Sequence, residues 1–95
     1  MAFVKQISRL FTETNVKLLK TGQIGVYGIF KEGQWIYIGK GDIRQRLIDH
    51  LNGDIPAILR NDPTHWVAEL TGEDPSVREK ELILECNPLC NQRIG

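Results

Sequence analysis

The sequence predicts a mixed α/β domain of the α+β kind, a small three-stranded antiparallel sheet flanked by helices. Three observations carry this expectation. Gly25-Val26-Tyr27-Gly28-Ile29-Phe30 and Trp35-Ile36-Tyr37-Ile38-Gly39 are rich in β-branched and aromatic residues, and the polar link Lys31-Glu32-Gly33-Gln34 joins them as a β-hairpin. Behind them Asp42 is placed to cap a helix, with Ile43, Leu47 and Leu51 recurring every four residues as its buried stripe. Further on, His65-Trp66-Val67-Ala68-Glu69-Leu70 alternates loosely and supplies the third strand.

The other elements follow from spacing and turn chemistry. Phe3, Ile7, Leu10 and Phe11 sit at helical spacing. Thr12-Glu13-Thr14-Asn15 weakens that pattern, Val16, Leu18 and Leu19 resume it, and Thr21-Gly22 ends it, so residues 2–20 are expected to be helical. Pro56 suits the first turn of a short helix with Ile55, Ile58 and Leu59 facing inwards, and Asn61-Asp62-Pro63-Thr64 reads as a turn. Asp74-Pro75 opens a last helix that runs to about Cys86, where Asn87-Pro88 stops it.

Ninety-five residues make one small domain with a thin core. Hydrophobic residues at 41% and charged residues at 25% are ordinary for a soluble globular chain. No apolar run reaches the ~18 residues of a membrane span, and Met1 to Gln6 shows no signal-peptide core. Two cysteines, Cys86 and Cys90, are too few for a secreted disulfide scaffold. A cytoplasmic protein with free thiols is expected. Twelve basic and twelve acidic residues cancel, which argues against a protein that coats nucleic acid nonspecifically. The distribution is uneven: residues 1–50 hold eight Lys/Arg against four Asp/Glu, and residues 51–95 the reverse. A basic front half can face phosphates, although chance segregation on a solvated surface gives the same count.

Some residues exceed what a core needs. Pairing the hairpin strands can set Tyr27 and Tyr37 side by side, and Arg46 and His50, four apart on the helix, share a face beside the buried stripe. A tyrosine in a strand is commonly a core residue with a wet tip, so packing accounts for any one of them more readily than for all four. In the last helix Leu82, Ile83 and Cys86 define the inward stripe, and counting back three and four residues reaches Glu79. A carboxylate there is unfavourable unless it is paired or binds a metal. A frayed first turn that leaves Glu79 at the surface is the alternative.

Taken together, these residues resemble the GIY-YIG nuclease domain. Gly25-Val26-Tyr27 stands for the first tripeptide and Tyr37-Ile38-Gly39 for the second, and Arg46 and His50 fall where the family has its helix arginine and a following histidine. The distal signature is matched by Glu79, the pair Leu82-Ile83, Pro88 and Asn91. Val26 departs from the isoleucine of the motif, and the link from Gly39 to Arg46 is one residue shorter than is common. His65 is the one candidate for a further histidine that some members carry.

The resemblance implies a GIY-YIG domain over residues 24–95 with an N-terminal helical extension over 1–23. It implies a metal-dependent DNA endonuclease with one divalent cation, Mg²⁺ or Mn²⁺, on Glu79, and Arg46 neutralising the scissile phosphate. By the same resemblance Tyr27 or a metal-bound water helps activate the attacking water, while Tyr37 and His50 orient groups and relay protons. Gly39 allows close backbone approach, Asn91 supports the site from behind, and Lys40 and Arg44 are expected on DNA phosphates. Specificity must then come from loops, the N-terminal segment, a second copy of the chain or a partner protein. The alternative is a catalytically inactive binding module with the same fold. Gly39-Lys40-Gly41 is no P-loop, since no Ser or Thr follows the lysine, and Cys86 with Cys90 lacks the four ligands of structural zinc.

Overall fold

The computed structural model describes residues 8–71 and 74–91. Its elements are β1 (Arg9–Leu10), α1 (Glu13–Val16), β2 (Ile24–Lys31), β3 (Gln34–Asp42), α2 (Ile43–Leu51), α3 (Pro56–Arg60), β4 (His65–Leu70) and α4 (Ser76–Cys86). The sheet is antiparallel and has four strands, not the expected three, in the order β1-β4-β2-β3.

The additional strand comes from the segment expected to be helical. Arg9 pairs with Trp66 and Leu10 with His65. Leu10 is 55% exposed while Phe11 is buried, the alternation of a strand rather than the stripe of a helix. Thr12-Glu13-Thr14-Asn15 does not weaken a helix but begins one: the Thr12 side chain accepts from the Asn15 amide at 3.3 Å as the N-cap of α1. Phe11 and Val16 then pack in the main core. The part of the helical expectation that covers residues 2–7 lies outside the described residues.

The hairpin turns at Glu32 and Gly33, both at positive φ, the two-residue turn that matches strand twist. A bulge interrupts the β2–β3 pairing: Ile29 faces Tyr37 and Phe30 faces Trp35, so Ile36 is the extra residue. The bulge puts Ile36 and Tyr37 on the same side of the sheet. There they join Tyr27, Ile29 and Trp66 under α2 and α3, whose Ile43, Leu47 and Ile58 fill the layer. Val26, Ile38 and Val67 point the other way and pack on Leu82 of α4.

The helix limits differ slightly from expectation. In α3, Ile58 is buried but Leu59 is 41% exposed rather than inward. Helix α4 starts at Ser76, after Pro75, and Asp74 Oδ1 accepts from the Ser76 amide at 3.0 Å. Asn87 ends it in the left-handed conformation. The following residues cover the edge of β3: Leu89 N donates to Trp35 O at 3.1 Å and Cys90 N to Ile36 O at 2.7 Å. No helix among the described residues is long and apolar enough to cross a membrane.

Because Phe11 packs in the core, Phe11→Ala is expected to destabilise the fold by about 3–5 kcal/mol. Urea unfolding measures this directly. A loss below ~1 kcal/mol would show that the segment is a detachable arm instead.

Candidate functional site

The site forms where the start of the hairpin meets α2. Tyr27 lies opposite Gly39 in the strand register. A side chain on Gly39 would collide with the Tyr27 hydroxyl and ring and with the edge of Tyr37. Gly39 therefore makes room for the Tyr27 ring, a role within the protein itself. Tyr27 and Tyr37 sit with ring centroids 6.4 Å apart, and Tyr37 meets the His50 ring edge-on at 5.0 Å.

A buried hydrogen-bonded chain runs through this cluster. Tyr27 Oη is 2.7 Å from His50 Nε2, and His50 Nδ1 is 2.8 Å from Asp54 Oδ1. His50 has no solvent exposure. With Nδ1–H donating to the Asp54 carboxylate, Nε2 carries the lone pair and accepts from the Tyr27 hydroxyl. The chain turns after α2 at Gly53, at positive φ, where Gly53 N donates to His50 O and Asp54 N to Asp49 O. That turn brings Asp54 back against the helix.

Arg46 sits on the same face. Its Nη1 donates to Asp49 Oδ2 at 2.9 Å and lies 3.6 Å from Asp54 Oδ2. Burial pushes the Tyr27 hydroxyl well above its ordinary pKa and Tyr37 strengthens the effect, with Arg46 opposing both. Tyr37 is raised likewise, by burial first, and the charge of Glu79 adds to it. Both tyrosines are therefore neutral hydroxyls near pH 7. Burial lowers the pKa of His50, against the pull of Asp54, so it is a neutral acceptor there.

Glu79 comes from the first turn of α4 and is near enough for its charge to act on Tyr37. Its side chain is 22% exposed, at the rim of the inward stripe, and Lys40 Nζ lies 3.6 Å from Oε1. Lys40 also donates to Ser76 Oγ at 2.9 Å. A hard oxygen donor with solvent access suits Mg²⁺, which keeps several waters and needs only one or two carboxylates besides substrate oxygens. Among the described residues no three His, Cys, Asp or Glu gather as a cage for a metal. Any ion at Glu79 would therefore be anchored by that one carboxylate and otherwise hydrated.

The remaining expected residues fall around this centre. Asn91 holds the backbone of Ile38 with both ends of its amide: Oδ1 accepts from Ile38 N at 2.8 Å and Nδ2 donates to Ile38 O at 2.7 Å. It thus fixes the strand between Tyr37 and Gly39. Arg44, on α2, makes no ion pair among the described residues. His65 stacks on Phe30, which packs on the opposite side of the sheet from Tyr27, and is not part of the cluster.

Asp54 and Asp49 are the site residues that sequence reasoning missed. Asp54 stands four residues after His50, a spacing that signals contact on a helix face. Asn52-Gly53 masked the signal by reading as a break. The chain matches no known protein-family model, no curated protein and no solved structure.

His50 gives stability a definite pH dependence. Unfolded, it titrates near 6.5; folded, burial holds it lower. Its contribution is fully present above about 6.5 and is lost as pH falls through the folded pKa. The Tm should therefore drop on acidification below that pH, and His50→Gln should flatten the drop. Parallel thermal melts across pH measure it, and superimposable profiles for the two proteins would refute it.

Proposed function

We propose that this chain is a metal-dependent DNA endonuclease of the GIY-YIG kind, hydrolysing one phosphodiester at a time with a single Mg²⁺ or Mn²⁺ on Glu79. The observation that supports this best is the buried chain from Tyr27 through His50 to Asp54, flanked by Arg46 and within the field of Glu79. The same buried bonds that position α2 on the hairpin can also carry a proton.

Neutral tyrosines and a neutral His50 support the roles that follow. Tyr27 is a poor base as a phenolate, because burial disfavours that anion. It works instead as a relay. Water attacks phosphorus and passes its proton to Tyr27 Oη while the Tyr27 proton moves to His50 Nε2; the bond from phosphorus to the leaving ester oxygen breaks as the new one forms, and that oxygen takes its proton from solvent water. Asp54 stabilises the imidazolium that results, across the 2.8 Å contact. Arg46 offers the guanidinium that meets charge developing on the phosphoryl oxygens. Tyr37 packs edge-on against His50 and holds the ring in place. A bound cation supplies further positive charge to the phosphate oxygens.

One observation favours the inactive binding module instead. Lys40 already lies beside Glu79, so the carboxylate has a counter-cation without any metal.

Mutants separate the two readings. Glu79→Gln should abolish metal-dependent cleavage while the protein still binds DNA with no loss of affinity and keeps its Tm nearly unchanged. Arg46→Ala should lower kcat by at least ~100-fold with a much smaller loss of affinity, because its charge acts mainly in the transition state. Arg44→Ala should weaken binding and reduce the salt slope by about one. Full cleavage by Glu79→Gln would remove the nuclease assignment from this site.

A single carboxylate cannot hold the paired ions of a two-metal nuclease. One site meets one strand, so cutting the antiparallel strand needs a second copy related by two-fold symmetry or a second, sequential nick. The monomer should therefore nick. Supercoiled plasmid should pass through a nicked intermediate, whereas linear product formed at once by protein shown to be monomeric would contradict this.

A further inference from the structure

Lys40 is assigned to DNA phosphates by its place in the sequence, but it is engaged elsewhere. Its ammonium donates to Ser76 Oγ at 2.9 Å and lies 3.6 Å from Glu79 Oε1. Both partners belong to the first turn of α4, so the lysine bridges β3 to that helix at the carboxylate proposed to hold the metal. A divalent cation on Glu79 and an ammonium at that distance repel each other, and the lysine must move for the ion to bind. Its side chain is 43% exposed and is anchored by one hydroxyl and one partly solvated ion pair, contacts weak enough to exchange. Arg46, by contrast, is tied to two carboxylates on its own helix and turn. Among the described residues, Lys40 is the cation closest to Glu79 in any ion pair.

We propose that Lys40 is an internal counter-cation for Glu79, exchanged for the divalent ion when a DNA phosphodiester draws the lysine away, so that metal loading depends on bound substrate. This rests on the nuclease reading of Glu79 and adds its regulation. The phosphate supplies what the lysine loses, an anionic oxygen partner, and leaves both Glu79 oxygens to the metal. The coupling is reciprocal: metal on Glu79 releases Lys40 and so tightens its grip on phosphate. It also gives the Lys40–Glu79 contact a function in an active enzyme.

Mn²⁺ binding, followed by the electron paramagnetic resonance of the unbound ion, tests this without any cleavage. The proteins are wild type, Lys40→Met, Lys40→Arg and Glu79→Gln, each with and without a short phosphorothioate duplex that resists hydrolysis. Without duplex, Lys40→Met should bind Mn²⁺ about tenfold more tightly than wild type. Adding duplex should tighten the wild type and Lys40→Arg by about the same factor and leave Lys40→Met little changed. Equal Mn²⁺ affinity for wild type and Lys40→Met without duplex, lost in Glu79→Gln, would overturn the exchange while leaving the metal site intact. No Glu79-dependent Mn²⁺ binding in any of the proteins, with or without duplex, would overturn the nuclease reading and the exchange with it.

Discussion

The hydrogen bond between Tyr27 and His50 is the constraint on which the rest of the structure turns. Both groups are fully buried, one on the sheet and one on the helix above it. Either left alone would cost about 1–3 kcal/mol as an unsatisfied polar group. The bond therefore sets where α2 lies on the hairpin, and several local features follow from it. Gly39 has no side chain because the Tyr27 ring covers it. Gly53 turns the chain sharply so that Asp54 can occupy the far nitrogen of the imidazole. Tyr37 reaches the same side of the sheet by ordinary alternation from Gly39, and the bulge adds Ile36 beside it.

The second half of the chain holds the other wall. Leu82 packs against Val26, Ile38 and Val67, which fixes α4 against the back of the sheet. Arg78 spans from that helix to β4, with Nε 2.7 Å and Nη2 3.1 Å from the two oxygens of Glu69. This forked pair favours one orientation of the helix. The orientation brings Glu79 to the strand end that carries Lys40. Asn91 clamps Ile38 from the same side. The candidate site thus lies at a seam between two packed layers, and each layer contributes part of its charge.

Much of this was legible in the sequence, and what was not has physical causes. The hairpin, α2 and its stripe, β4 and the end of α4 all follow from period and turn chemistry, because in each the buried face is long enough to show. Within residues 8–20 the helical expectation fails at Arg9 and Leu10, because two residues of strand and four of helix are too short to display a period. Leu10 and Phe11 match helical spacing by coincidence, and the identity of β1 depends on Trp66 and His65, more than fifty residues away. In the site, the residues with unusual chemistry for their position, Tyr27, Tyr37, Arg46, His50 and Glu79, could be singled out. Their partners could not. Asp54 and Asp49 are ordinary acidic residues until a turn closes on them, and the Lys40–Glu79 contact joins two elements with no sequence signal that they meet.

Those partners change how a neutral protein can meet a polyanion. Arg46 is neutralised by Asp49 and Asp54, and Lys40 by Glu79, so the cations nearest the buried chain present little net field to solvent. For the proposed nuclease, long-range attraction to DNA would be correspondingly weak. On the nuclease reading, a phosphate would gain at this site only by displacing a carboxylate from its cation. The carboxylate left behind must then find another cation or bear the cost of a partly desolvated charge. In the proposed reaction the replacement for Asp54 is the imidazolium formed on His50 as the proton arrives, which joins the charge that phosphate takes from Arg46 to the step that moves the proton. In the proposed nuclease, the same electrostatic balance that keeps the unbound domain neutral would therefore make substrate binding and proton transfer depend on each other.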